Sequence, residues 1–312
     1  MENSANKPQL TEQLQKLQEK YAVMGQDLSS YLDGLLYSDY LTYWDYIHLD
    51  TLLSLQNPKT GLPDERVFIM YHQITELYFR LILWEMEQIG ANKNPTEVFF
   101  ITRLDRLVRY FRHLESSFDI MVNGMEKEQF LKFRMALLPA SGFQSAQYRM
   151  IEICATDMIN LVGLQDRSSV DADDIDKQLD KLYWRSGATE LASGKKTLTL
   201  QQFESKYMSE FRELGLKFKE QNLRAIYRKF FHGNEEVVKR LREFDTISNV
   251  LWPLAHMRSA GHYLHKDPED IKATGGTNWQ KYLPPRFQKI IFFPELWSDE
   301  EKAQWGSAAF KR

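Results

Sequence analysis

At 312 residues, with 43% hydrophobic and 27% charged side chains, the chain is long enough to bury a sizeable core in one large or two ordinary domains. Forty basic against forty-three acidic residues leave a net charge of -3; no basic block is long enough to follow a phosphate backbone, which argues against a nucleic-acid partner. No window approaches ~20 consecutive apolar residues and the start MENSANKPQLTEQLQK is polar, so neither a membrane span nor a signal peptide is expected, and the single Cys154 leaves no internal disulfide and fits a reducing cytoplasm.

Gly 15 and Pro 10 are both low, which favours long helices over many short strands. From 10 to 25, Leu10, Leu14, Leu17 and Tyr21 recur at three- and four-residue spacing up to Gly25, the pattern of an amphipathic helix. An apolar segment follows from a Ser38 cap to Pro58. The run GLPDERVFIMYHQITELYFRLILWEMEQIG starts at Pro63-Asp64, stops at Gly90 and predicts one long buried helix carrying His72. PTEVFFITRLDRLVRYFRHLESSFDIMVNG predicts another. The stretch from Glu126 to Gly163 predicts two helices interrupted around Pro139-Ala140-Ser141-Gly142, where backbone amides and small side chains would face a ligand.

Between Asp166 and Thr199 the chain turns polar and acidic, a helical excursion too short to be a domain. The helical pattern resumes from Leu200 and runs through EEVVKRLREFDTISNVLWPLAHMRSAGHYLH, with Pro253 placed to kink or interrupt it just ahead of His256. A loop rich in Gly and Pro and a short apolar terminus close the chain. No internal repeat is visible, so the expectation is an all-α fold with one large helical domain over 38–312 and a helical arm over 1–37.

The seven histidines form no HExxH pattern, and one cysteine leaves no thiolate zinc site. His72 with Glu76 at i, i+4 and His262 with His265 at i, i+3 share helix faces, spacings that arise often by chance. Cys154 sits in the apolar helix MIEICATDMI as small core filler, there is no GxSxG turn, and Thr274-Gly275-Gly276-Thr277 lacks a P-loop lysine and a preceding strand. His72, Arg134 and His256 lie on separate buried segments. A buried histidine needs a partner for each ring nitrogen and a buried arginine an anion, so these positions would converge where a ligand supplies them. Thirteen per cent aromatic residues suit either a flat hydrophobic ligand or a well-packed aromatic core.

At these residues the sequence resembles the tryptophan 2,3-dioxygenase family, haem enzymes that open the indole ring of tryptophan. The resemblance rests on LTYWDYIHLDTLLSLQ at 41–56, DERVFIMYHQITEL at 64–77, FLKFRMALLPASGFQSAQYRMIE at 130–152, LAHMRS at 254–259, ATGG at 273–276 and FFPELW at 292–297, and spans roughly 38 to 298. It implies that His256 is the proximal ligand of a haem b iron, ferrous for activity, in a pocket between long helices. It further implies that His72 accepts the substrate's indole N–H, Phe68 lies against the indole ring, Arg134 clamps the carboxylate and Thr274 stands beside the ammonium and carboxylate. Ser141 is implied near the haem and bound oxygen. Tyr43 and Tyr46 match tyrosines that reach a neighbouring subunit's pocket from an exchanged N-terminal segment, which implies a homotetramer.

The implied reaction is insertion of both atoms of dioxygen across the indole C2–C3 bond of L-tryptophan, giving N-formyl-L-kynurenine, in the cytoplasm and as the first step of the kynurenine pathway. Two residues depart from the family pattern. Phe130 stands where a tyrosine hydroxyl usually helps hold the carboxylate, and Trp279 replaces a glycine of the GTGGSSG loop. Two other readings stand beside this one: a haem mono-oxygenase of a related indole or phenol amino acid, and a haem- or indole-binding protein without turnover.

Overall fold

The computed structural model describes residues 7–38, 42–137, 144–186, 196–264 and 284–307, and divides into two compact units, Met1–Gln56 and Asn57–Arg312. The N-terminal unit carries α1 (Lys7–Val23), α2 (Leu28–Leu36), α3 (Tyr43–Tyr46) and α4 (Leu49–Leu53). Asp27 caps α2 by accepting from the Ser29 amide, and the Tyr21 and Tyr31 rings pack at 4.7 Å between α1 and α2. His48 adopts a left-handed φ of 50°, which separates α3 from α4. No residue of α2, α3 or α4 is buried.

The second unit is built around α5 (Asp64–Ala91) and α6 (Glu97–Asn123), the two long helices the 3.6-residue periodicity predicts. Asp64 and Glu65 occupy the first turn of α5, where negative charge meets the positive end of the helix dipole. The fully buried Glu65 accepts from the backbone amides of Lys59 and Thr60 at 2.6 and 2.7 Å and from the Thr60 hydroxyl. Burial pushes its pKa up, but these three bonds together outweigh that and hold it below the usual range. Glu85, also buried, binds Arg103 and Arg106 at 2.7 and 3.1 Å and so ties α5 to α6.

The remaining described α-helices are α7 (Lys127–Phe133), continued by a 3₁₀ turn Arg134–Leu137, then α8 (Ala146–Ala155), α9 (Ile175–Asp180), α10 (Tyr183–Ser186), α11 (Leu198–Phe218), α12 (Leu223–Phe230), α13 (Glu235–Thr246), α14 (Trp252–Leu264), α15 (Pro285–Gln288) and α16 (Asp299–Ala303). Side-chain caps on free amides start most of the longer ones, from Thr96 on α6, Ser145 on α8, Thr197 on α11, Asn222 on α12 and Asn234 on α13. Among the described residues there is no sheet, only an isolated bridge between Val162 and Leu182, so the fold is all-α as expected. No helix among them is long and apolar enough to cross a membrane.

Pro253 does not break the helix that carries His256. Lacking an N–H, it cannot serve the Asn249 carbonyl. The chain answers with a π-turn over Ile247–Leu251, in which the Trp252 amide reaches back to Ile247 O. This frees the Ser248 carbonyl, which accepts instead from the Tyr148 hydroxyl at 3.1 Å. The inserted residue rotates α14 by about 100° relative to α13, and that rotation sets which side of α14 faces α6.

Candidate functional site

His72 stands on α5 and His256 on α14. A cluster of apolar side chains surrounds both, including Tyr71, Phe118, Phe133, Ala255 and Tyr263, with Phe68, Phe130 and Trp252 packed against it. The His72 side chain keeps contact with solvent, with the Phe68 and Tyr71 rings packed against its imidazole.

The Nδ1 of His72 lies 2.7 Å from the Phe68 carbonyl one turn back. A carbonyl only accepts, so a neutral His72 carries its proton on Nδ1, and Nε2 is left as a lone-pair acceptor. Burial pulls the pKa of His72 below the ordinary histidine value, opposed by the Phe68 carbonyl and the Glu76 carboxylate. The neutral form is therefore the working form near pH 7.

Burial, and then His72 itself, pull His256 down to about 4. The His256 ring stacks on Phe118 at 5.7 Å and tilts against Trp252 at 5.8 Å, while no hydrogen bond to a described residue engages either of its nitrogens. A neutral imidazole with a free lone pair is the state a metal requires of a histidine ligand. The buried indole N–H of Trp252 likewise finds no acceptor among the described residues.

Among the described residues no three of His, Cys, Asp and Glu gather to hold a metal ion. An ion bound at His256 would have to arrive with most of its own ligands, as the iron of a haem does. The imidazole donor of His256 and the apolar and aromatic side chains around it fit such a group. Glu76, the partner His72 has by spacing, is engaged elsewhere: Gln147 Nε2 donates to its carbonyl at 2.9 Å and to its carboxylate at 2.8 Å.

The wall beside His72 is aromatic. Phe68 packs on its ring at 4.1 Å, Phe133 meets Phe68 edge-on at 5.6 Å, and Phe130 lies 6.1 Å from Phe68 and 4.3 Å from Tyr263. The Tyr263 hydroxyl donates to the Met121 carbonyl at the end of α6, so it does not replace the hydroxyl that Phe130 lacks. Arg134 is buried and follows directly on Phe133, at the start of the 3₁₀ turn.

Tyr43 and Tyr46 lie on α3 of the N-terminal unit with exposed rings. Ser141, Thr274, Trp279 and His265 lie outside the described residues. Sequence reasoning did not single out Trp252, Phe118, Gln147 or Tyr263. A tryptophan four residues before a buried histidine was the only signal of the first.

Comparison with known proteins gives one consistent answer. A family model described as Tryptophan 2,3-dioxygenase matches residues 34–258. A protein named Tryptophan 2,3-dioxygenase from Ruegeria sp. (strain TM1040) is 40% identical over 118 residues, 37% of this chain and 42% of that protein. Proteins of the same name from Bradyrhizobium diazoefficiens and Anaeromyxobacter dehalogenans are 28% and 26% identical over 84% and 85% of this chain, and 92% and 97% of their own lengths. The higher-identity alignments are partial, spanning less than half of the relatives they match, as with the Ruegeria protein.

Proposed function

Given that the chain belongs to the tryptophan 2,3-dioxygenase family, we propose that it is a haem-dependent dioxygenase that cleaves the indole C2–C3 bond of L-tryptophan to N-formyl-L-kynurenine, working as a cytoplasmic homotetramer. The observation that carries this reading is a pair of histidines from α5 and α14 set among aromatic side chains, both held below the usual histidine pKa, with Nδ1 of His72 on the Phe68 carbonyl and no hydrogen bond from a described residue on the ring nitrogens of His256.

In this reading His256 holds the iron of a haem b, and the bound ferrous haem supplies the dioxygen chemistry. The chain's own residues bind and orient. His72 Nε2 accepts the indole N–H, and its Nδ1–H, anchored on Phe68 O, keeps the ring in that tautomer. Phe68 lies along the indole face, and the aromatic wall excludes water, which strengthens every polar contact inside. Arg134 takes the substrate carboxylate as a planar fork. Thr274 stands beside the ammonium, Ser141 beside the oxygen, and Tyr43 and Tyr46 close the pocket from a neighbouring subunit.

Phe130 favours a second reading. It offers no hydroxyl to a carboxylate, so a related indole or phenol substrate taking up a single oxygen atom belongs in the same test. The protein is loaded with haem, reduced without oxygen, and given tryptophan and then dioxygen. Absorbance of formylkynurenine and a product two oxygen atoms heavier support the first reading. One added atom supports the second. A Soret band with ligand binding but no oxygen consumption would overturn both.

A further inference from the structure

Tyr148 of α8 touches both the helix of His256 and the π-turn before it. Its buried hydroxyl donates to the Ser248 carbonyl at 3.1 Å, and its ring stacks on the Trp252 indole at 4.9 Å. That indole lies against the His256 ring at 5.8 Å, and Phe79 packs on Tyr148 and Trp252 at 5.5 and 5.8 Å. The Arg149 guanidinium lies over the Tyr148 ring at 4.7 Å and is itself held by Glu152 at 2.9 Å and the Tyr183 hydroxyl at 2.8 Å, so a buried ion pair braces the ring.

The Ser248 carbonyl has a particular need. In a π-turn its donor would be the amide of residue 253, and Pro253 has none. A buried carbonyl without a donor is costly. An ordinary α-turn would give Ser248 the Trp252 amide, but it would leave Asn249 facing the proline instead and would undo the rotation of α14. The Tyr148 hydroxyl stands in for the missing N–H, and so favours the wider turn.

We infer that Tyr148 is a positioning residue for the iron ligand proposed above: its hydroxyl holds the π-turn in its wide form, its ring braces Trp252, and together they fix the direction in which His256 presents its imidazole. This rests on the reading of His256 as the ligand of a haem iron. Partners that orient a metal ligand without touching the metal change metal affinity by about 10- to 100-fold.

The test uses the full-length chain, loaded with haem and reduced without oxygen. Resonance Raman reads the iron–histidine stretching band, and haem loss to excess apomyoglobin is timed on the same samples. Tyr148→Phe keeps the ring and removes the donor; it should shift or broaden the band and speed haem loss about tenfold. Tyr227→Phe removes a buried phenol of α12 that accepts from the Gly233 amide at 3.4 Å, and should leave band and rate in place. Pro253→Ala restores an amide where the donor is missing, so its combination with Tyr148→Phe should bring both readings back toward wild type. The combination also decides the matter if Tyr148→Phe alone takes up no haem. An unchanged band and rate in Tyr148→Phe, equal changes in Tyr227→Phe, or no recovery in the combination overturns the inference. A band that persists in His256→Ala overturns the iron-ligand reading, and the inference with it.

Discussion

Asp245 offers the sharpest test of how the molecule is held together. Its fully buried carboxylate accepts from the backbone amides of Phe292 and Phe293 at 2.9 and 3.2 Å, from the Trp297 indole at 3.0 Å and from Asn249 at 2.8 Å. The FFPELW segment is thereby pinned to α13, just before the π-turn that orients the helix of His256. Asp245→Ala orphans four buried donors. Each costs ~1–3 kcal/mol, and water entering the vacated space serves some of them, so the net loss should be about 3–5 kcal/mol out of a typical 5–15. Urea unfolding followed by tryptophan fluorescence measures it. A loss below about 1 kcal/mol would mean that the segment is held by its apolar contacts alone.

The same residue predicts an unusual pH dependence. Burial raises Asp245 from 3.8 to about 6, against the four donors that pull it down. A carboxyl whose folded pKa lies above its unfolded value contributes fully below the unfolded pKa and loses that contribution as pH rises through the folded one. Between about pH 7.5 and about pH 5 the wild type should therefore regain roughly 1–2 kcal/mol from this group. The gap between wild type and Asp245→Ala should widen over that range, and a gap that narrows would refute the assignment of burial as the winning cause.

Three further outcomes follow from the site. His256→Ala should abolish stoichiometric haem and its Soret band, while His72→Leu keeps both; full haem incorporation without His256 would remove it as the iron ligand. His72→Leu should lower kcat/KM for tryptophan about tenfold, the worth of one hydrogen bond. On 1-methyltryptophan, which has no indole N–H, the same substitution should change little, and equal losses on the two substrates would show that His72 does not act through that proton. Arg134→Lys should raise KM for tryptophan about ten- to a hundredfold, because an ammonium cannot form the bidentate fork, and an unchanged KM would point to a substrate without a carboxylate.

Much of this architecture is legible in the sequence because it is local. The stripes that make α5 and α6 and the stop at Gly124 follow from residues a few positions apart. What is not legible is pairing at a distance. Asp245 reads as one acid beside the apolar Val237, Leu241 and Phe244 of α13, and only the fold shows that three of its donors come from 292, 293 and 297. Pro253 reads as a break because sequence rules describe α-turns, whereas the chain used a wider turn that needs no proline N–H. The Glu76 carboxylate is a related case: spacing puts it on one face with His72, and only the fold shows that Gln147, seventy-one residues on, binds it.

Two facing helices with small apolar gaps between them would ordinarily close until the gap is filled. Here α6 resists that closure from one turn. Phe118 stacks on His256 and packs at 5.8 Å on Tyr71 and 6.0 Å on Trp252, while Ser117 Oγ lies 3.3 Å from the Tyr71 hydroxyl. Beyond it, the Tyr263 hydroxyl fastens the far end of α14 to the Met121 carbonyl in the last turn of α6. One helix therefore sets the distance between the other two. Burial lowers the pKa of both histidines, against the Glu76 carboxylate in the case of His72, and neutrality leaves one ring able to take a metal and the other able to accept a proton donor.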